Sequence, residues 1–95
     1  MAEAARVVLW VFTHPACSGC TRAVQKAWEL TEAHPDVALK TVSLTSKEGL
    51  SVAQEEGVKT IPTFILSDGE RELERWAGMP EEGSLDAAVE AAVAA

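Results

Sequence analysis

The sequence predicts an α/β fold: a three-layer α/β/α sandwich around a four-stranded mixed sheet, in the element order β-α-β-α-β-β-α. The apolar, β-branched run Arg6–Phe12 is typical of a central strand that is buried on both faces. Segments with residues recurring at three- and four-residue spacing, typical of amphipathic helices, alternate with strand-like segments. Asp68-Gly69 separates two further strand-like segments and strongly indicates a hairpin. A length of 95 residues suits a single domain, residues 1–95.

The first half of the chain predicts a strand, a helix and a second strand. The helix runs from about Ser18 and stops before Pro35, because the residue ahead of a proline avoids helical dihedral angles. Val37–Leu44 is predicted as the second strand, parallel to the first, since a right-handed helical crossover joins them. The positions that recur at helical spacing are Ala23, Val24, Ala27, Trp28 and Thr31.

The second half predicts a short helix, the hairpin and a last helix. Thr45 and Glu48 fit a capping box at the start of the short helix, and Gly57 fits its left-handed C-cap. The second hairpin strand, Glu70–Trp76, carries several charges, which are typical of a sheet edge because they oppose edge-to-edge pairing. The last helix starts at Ser84 or in the region of Pro80. Its recurring apolar positions are Leu85, Ala88, Val89, Ala92 and Val93.

The charge balance restricts the classes of partner. Eight basic and fifteen acidic residues give a formal net charge of −7. This disfavours nucleic acids and anionic membranes, which bind clusters of Lys and Arg, and it favours a monomer through mutual repulsion. The N-terminus lacks the basic start and long apolar stretch of a signal peptide, and no segment is apolar enough to span a membrane. We therefore expect a cytoplasmic protein.

Both cysteines of the chain lie in the segment HPACSGC, residues 14–20. Residues three apart in a helix have Cα atoms about 5 Å apart, inside the disulfide range of about 4.4–6.8 Å. Cys17 is predicted at the helix N-terminus, where free N–H groups and the helix dipole favour a negatively charged sulfur. Cys20, one turn inside, is expected to be more buried and less acidic. The pair therefore suits reversible disulfide chemistry, in which Cys17 attacks and Cys20 resolves.

Two other interpretations of the cysteine pair stay open. A structural zinc site needs four ligands, and although His14 lies close, His34 is expected roughly 20 Å away at the far end of the helix. A two-coordinate copper(I) site or a metal shared across a dimer remains possible, but we expect no metal. A permanent staple across so short a loop adds little stability. His14 is interpreted as a loop residue close enough to tune Cys17.

A second set of residues gives the chain its family resemblance. The cysteine pair after the first strand, Ile61-Pro62-Thr63 before the third, and Gly78 after the last match the thioredoxin superfamily in order and spacing. The resemblance covers nearly the whole chain and implies the thioredoxin-like fold. It also implies that the Ile61-Pro62 bond is cis, and that Ile61, Pro62 and Thr63 face the cysteines and bind substrate. Gly78 is implied to lie on the same surface.

What the resemblance implies about function is a thiol–disulfide oxidoreductase that reduces protein disulfides and maintains redox homeostasis. Its partners would be disulfide-bearing proteins and a reductase that recharges the pair. It would use no cofactor other than the redox-active Cys17–Cys20 disulfide. The alternatives are a non-catalytic module or metal carrier on the same fold, and a glutathione-dependent enzyme similar to glutaredoxins. Glutaredoxins usually carry a double glycine after the last strand, whereas Gly78 stands alone there in the acidic segment WAGMPEEG, residues 76–83, which argues against glutathione.

The chain also departs from the thioredoxin pattern. It is similar to the minimal, glutaredoxin-sized form, and Ser18-Gly19 replaces the usual pair between the cysteines. Val11 aligns with the buried acid that assists proton transfer in thioredoxins, so this step would depend on water, Lys59 or His14.

The three tryptophans receive different interpretations. Trp10 and Trp28 are predicted to belong to the core, because both recur with the apolar positions of their elements. Trp76 fits either the core or the site.

Overall fold

The computed structural model describes residues 7–68, 71–81 and 83–94. Its elements follow the predicted order β-α-β-α-β-β-α. They are β1 (Val7–Thr13), α1 (Cys20–Ala33), β2 (Val37–Ser43), α2 (Lys47–Glu55), β3 (Thr63–Ser67), β4 (Glu72–Ala77) and α3 (Ser84–Ala94). The predicted strand residue Arg6 and the hairpin residues Gly69 and Glu70 lie outside the described residues.

The four strands form one mixed sheet in the order β2-β1-β3-β4. β1 runs parallel to β2 and antiparallel to β3, and β3 pairs antiparallel with β4. β1 is thus an inner strand and the charged β4 an edge strand, as the sequence predicts. The pairing of β3 with β4 confirms the hairpin.

Helices cover both faces of the sheet, which completes the three-layer sandwich. On one face, α1 and α3 pack against β1 and β3, and Lys26 Nζ lies 3.1 Å from Asp86 Oδ1 between the two helices. The buried residues of this core are Val7, Leu9, Val11, Ala23, Ala27, Leu30, Val37, Phe64, Leu66, Leu85 and Val89. On the other face, α2 covers a smaller core of Phe12, Val42, Ala53 and Ile65.

Two helix starts differ from the sequence prediction. α1 begins at Cys20 rather than Ser18, since residues 14–19 form turns that end β1 and carry Cys17. Ser46, not Thr45, is the N-cap of α2: its Oγ accepts a hydrogen bond of 2.9 Å from the N–H of Gly49. The Thr45 hydroxyl instead lies 2.8 Å from Ser43 Oγ. The helix ends as predicted, with Gly57 just beyond it at φ +73°.

Two tryptophans take structural positions. Trp10 packs against the α2-side core, and its ring stacks on Phe12 with a centroid distance of 6.4 Å. Trp76 packs against the larger core and its Nε1–H donates a hydrogen bond of 3.2 Å to Ser84 Oγ, which ties β4 to α3. Both tryptophans are half-buried: Trp10 packs against a core, in agreement with the prediction, and Trp76 also packs against a core.

Among the described residues, no helix combines the length and the apolar character needed to cross a lipid bilayer.

Candidate functional site

One end of the sheet collects the residues that the sequence analysis singles out. Thr13, the last residue of β1, is paired with Ser43, the last residue of β2. Thr63 is paired with Phe12, so continuing that register by one residue places Pro62 beside Thr13. The N–H of Gly78 donates a hydrogen bond of 2.7 Å to the Pro62 carbonyl. Ser43, Thr13, Pro62 and Gly78 therefore form a row across the sheet end from which the cysteine loop departs.

The loop between β1 and α1 is held by His14. The His14 carbonyl accepts a hydrogen bond of 2.9 Å from the N–H of Cys17. The imidazole Nδ1 accepts a second bond of 3.0 Å from the N–H of Ala16. With Nδ1 as an acceptor, the ring proton of the neutral imidazole lies on Nε2. His14 thus fixes the backbone that presents Cys17.

Cys17 and Cys20 form a disulfide, with their Cα atoms 5.4 Å apart. The N–H of Cys20 also donates a hydrogen bond of 3.3 Å to the Cys17 carbonyl, so the two residues close one turn. Cys17 is half-buried, whereas Cys20 is only 5% exposed. The difference in burial agrees with the prediction that Cys17 is the outer sulfur and Cys20 the inner one.

The position of the pair relative to α1 differs from the prediction by one turn. Cys20 is the first residue of the helix rather than a residue one turn inside, and Cys17 precedes the N-cap residue Gly19 by two positions. Gly19 has no side chain to cap the helix, and the first turn contains no acidic residue. Within the described residues, the N–H groups of Thr21 and Arg22 have no hydrogen-bond acceptor. The helix end next to Cys17 is therefore electropositive, which favours a thiolate there.

The loop before β3 supplies an open backbone edge. The Ile61-Pro62 peptide bond is cis. Thr63 is buried and its hydroxyl donates to the carbonyl of Thr60, so this side chain shapes the loop instead of facing a partner. In the part of the chain that the structure describes, the N–H and carbonyl of Ile61 make no hydrogen bond. The Ile61 backbone is thus free to pair with an added strand.

Gly78 occupies a conformation that favours glycine. Its φ of +98° lies in the region that L side chains rarely adopt. A Cβ built there would have no neighbour within 4 Å. The residue therefore borders open space at the sheet end, beside Pro62.

The predicted proton-transfer residues occupy different places. Val11, which aligns with the buried acid of thioredoxins, is fully buried in the larger core. Lys59 is exposed and does not line the surface beside the cysteines, whereas His14 does. Of the two side chains suggested by the sequence, only His14 lines this surface.

A groove of about 590 Å³ opens beside the disulfide between α1 and the ends of β1 and β2. We call it the Trp28 groove, and its walls include Thr13, Cys17, Cys20, Val24, Trp28 and Ser43. In residues 7–68, 71–81 and 83–94, including the groove, no three His, Cys, Asp or Glu side chains converge in an arrangement able to hold a metal ion.

The model of the family described as Thioredoxin matches residues 1–91 of this chain. The chain belongs to the thioredoxin family. Its bonded cysteine pair at the end of β1 is consistent with a thiol–disulfide oxidoreductase-like role. No curated protein sequence matches the chain significantly.

Solved thioredoxins share the fold. Thioredoxin-2 of a malaria parasite is 26% identical, with a TM-score of 0.79 over 90% of this chain and 82% of that one. A mutant thioredoxin from Halobacterium salinarum is 24% identical, with a TM-score of 0.81 over 93% of this chain and 75% of the other. Thioredoxin 1 from Thermosipho africanus is 23% identical, with a TM-score of 0.78 over 88% and 91%. These likenesses support the thioredoxin-like fold predicted from the sequence.

Trp28 is the site residue that sequence reasoning misplaced in this chain. The prediction that it belongs to the core is wrong, because its side chain is 55% exposed and lines the groove. The buried stripe of α1 consists of Cys20, Ala23, Ala27 and Leu30. Trp28 follows Ala27 by one position, about 100° around the helix, so it cannot share that stripe. Fixing the inner stripe first would have revealed its outward position.

Proposed function

We propose that this thioredoxin reduces disulfide bonds in other proteins. The observation that carries the proposal is the Cys17–Cys20 pair, with its outer sulfur half-buried and its inner sulfur almost fully buried at the uncapped start of α1. This difference in access gives the two sulfurs different roles. Cys17 can meet a disulfide of another protein, whereas the buried Cys20 is placed to attack the Cys17 sulfur.

The first step is attack by the Cys17 thiolate on one sulfur of the substrate disulfide. A bond forms between the two sulfurs, the substrate S–S bond breaks, and the released cysteine leaves as a thiolate that takes a proton from water. The N–H groups at the start of α1 favour the thiolate form of Cys17 before the attack. The product is a mixed disulfide between Cys17 and the substrate.

The second step resolves the mixed disulfide. Cys20 loses its proton and attacks the Cys17 sulfur, the second substrate cysteine leaves as a thiolate, and the Cys17–Cys20 disulfide forms. Two electrons have then passed to the substrate. A dithiol compound or a reductase must return two electrons and two protons to the pair before the next cycle.

The open backbone of Ile61 supports a docking mode for the substrate. An extended segment that pairs with the N–H and carbonyl of Ile61 lies along the same sheet end as Cys17. Gly78 borders this path without a side chain, and its hydrogen bond to Pro62 holds the loop in place. The contacts are with backbone groups, so they suit substrates of many sequences.

The test is reduction of insulin by dithiothreitol, followed by the light scattering of the precipitated insulin B chain. We expect the wild-type chain to accelerate the reaction and Cys17→Ser to return it to the rate with dithiothreitol alone. Cys20→Ser keeps the attacking thiol but cannot resolve, so it should accumulate as a mixed disulfide with insulin. The matched pair of variants separates the two roles, because the chain has no other cysteine.

Two results would contradict the proposal. One is a wild-type rate no higher than that of dithiothreitol alone. The other is a Cys17→Ser variant that is as fast as the wild type, because activity would then not depend on the outer sulfur.

A further inference from the structure

The Trp28 groove lies on the opposite side of Cys17 from the loop before β3 that carries Ile61 and Pro62, which we call the docking loop. Thr13 and Ser43, at the ends of β1 and β2, form its wall on the sheet side. None of the expected substrate-binding residues of the β3–β4 side lines it. A polypeptide that runs from the docking loop across Cys17 and continues in the same direction reaches the groove next.

Both cysteines also line the groove. A substrate sulfur bonded to Cys17 is held within one covalent bond of this wall. The residues next to the substrate cysteine are then within reach of the groove without any rearrangement of the protein.

The walls of the groove are poor in ionisable side chains. Among the described residues its lining includes no Asp, Glu, Lys or Arg, and His14 is its one titratable side chain apart from the cysteines, although 24% of the residues of the chain are charged. On the other side of the start of α1, by contrast, the cavity beside Met79 is lined by Arg22, Lys26 and Glu81. The Trp28 groove therefore suits an apolar group better than an ionised one.

Trp28 is an exposed aromatic side chain within this surface. It is 55% exposed, and within the described residues its indole N–H has no acceptor. An exposed tryptophan that a partner can bury is the residue type most enriched among strong interface contacts. The volume of about 590 Å³ also falls in the range of about 300–1,000 Å³ that is typical of binding sites.

We propose that the Trp28 groove binds a bulky apolar side chain of the substrate protein, next to the cysteine that bonds to Cys17. Trp28 is the residue that determines this specificity. The inference rests on the proposed function in so far as the occupant is a substrate segment joined to Cys17. It adds a sequence preference to docking that otherwise uses only backbone contacts.

The experiment measures an exchange equilibrium that needs no turnover. A full-length Cys20→Ser protein is converted to its mixed disulfide with glutathione and mixed with a short peptide containing one cysteine. Exchange gives the protein–peptide disulfide and free glutathione, so bonds and protons balance. The reference peptide has serine at each of the two positions before its cysteine and at each of the two positions after it. Each of four test peptides has phenylalanine in place of one of these four serines.

We expect phenylalanine at one of the four positions to raise the equilibrium constant about five-fold or more over the reference peptide. The gain should disappear in Cys20→Ser with Trp28→Ala and persist with Trp28→Phe, which keeps an aromatic ring. Leu50→Ala is the matched control, since Leu50 is 44% exposed on α2 and does not line the groove. It should leave the gain unchanged.

The inference is overturned if phenylalanine gives no gain at any position, or if the gain is the same with Trp28→Ala. Because the readout is an equilibrium, it decides the matter even if the wild-type chain fails to reduce insulin. If phenylalanine raises the equilibrium constant in a Trp28-dependent way but the wild-type chain does not reduce insulin, the reductase proposal is rejected and the groove proposal stands. If the wild-type chain reduces insulin but phenylalanine gives no Trp28-dependent gain, only the groove proposal is rejected.

Discussion

His14 has a structural role at the site that its position in the sequence did not reveal. Its carbonyl and its imidazole Nδ1 accept hydrogen bonds from the N–H groups of Cys17 and Ala16. Both bonds hold the backbone that carries the outer sulfur. We therefore interpret His14 first as a loop-positioning residue, although its side chain also lines the groove beside the pair.

Two substitutions of His14 separate positioning from proton transfer. Asparagine can accept a hydrogen bond from the N–H two residues later, as Nδ1 does here, but it does not titrate near neutral pH. We expect His14→Asn to retain the insulin-reduction rate of the parent and His14→Ala to lower both the rate and, by about 1 kcal/mol, the free energy of unfolding. Equal loss of activity in the two variants, with the stability of His14→Asn unchanged, would instead assign proton transfer to the imidazole.

At the scale of elements, the edge strand β4 is connected to α2 by charged side chains. The guanidinium of Arg75 donates hydrogen bonds of 2.9 and 2.8 Å to the two carboxylate oxygens of Glu72. Its Nη2 also lies 3.8 Å from Oε1 of Glu56, at the end of α2. The hydrogen bonds from Arg75 hold the pKa of Glu72 below its ordinary value of 4.5, and the same contact raises the pKa of Arg75.

The lowered pKa of Glu72 predicts the pH dependence of its contribution to stability. A carboxyl group whose pKa is lower in the folded state stabilises the fold above its ordinary pKa, and this contribution is lost as the pH falls below 4.5 and through the folded-state value. Both side chains are about one-third exposed, so water screens the ion pair. We therefore expect Glu72→Gln to lower the free energy of unfolding by about 0.5 kcal/mol or less at neutral pH. Urea unfolding at neutral pH and in acid measures the difference.

The control for this prediction is Glu74→Gln. Glu74 lies on the same strand and makes no ion pair with any of the described residues. It should show no comparable effect at neutral pH. A Glu72→Gln variant that is destabilised equally at neutral and acid pH would contradict the electrostatic explanation.

At the scale of the whole molecule, the sheet brings together residues that are far apart in the sequence. The end of β1 carries the cysteine loop, and the neighbouring ends of β3 and β4 carry Ile61 and Gly78. Pairing of Thr63 with Ala77 fixes the position of Gly78 next to the loop before β3. The proposed docking path therefore depends on the sheet order, not on any one segment.

Gly78→Ala tests this path against a matched glycine. An alanine forced into a left-handed backbone conformation lowers the free energy of unfolding by about 1–2 kcal/mol. Gly57 has φ +73° beyond α2, so Gly57→Ala should lose a similar amount of stability. Only at Gly78 would the added methyl group lie beside the docked segment. We expect Gly78→Ala to raise the KM for insulin several-fold and Gly57→Ala to leave it unchanged. Equal KM values for the two variants would remove Gly78 from the docking path.

The sequence predicted much of this fold because local patterns were strong. The continuous apolar run of β1, the charged β4 and the glycine after α2 all lie where their patterns indicate. The cap of α2 was misplaced by one residue, because Thr45 and Ser46 both suit an N-cap and only the path of the chain selects Ser46. Likewise, the start of α1 depends on the turns that His14 holds.

By itself, the sequence determined the order of elements, the cysteine pair and the family resemblance, since each depends on residue type and spacing along the chain. The tertiary structure decided which surface lies beside the disulfide. Trp28 recurs at helical spacing with apolar residues, but α1 buries the stripe of Ala23 and Ala27 and leaves Trp28 outside. The physical reason is that a helix buries only the face that meets its neighbours, and that face is set by packing against the sheet and α3.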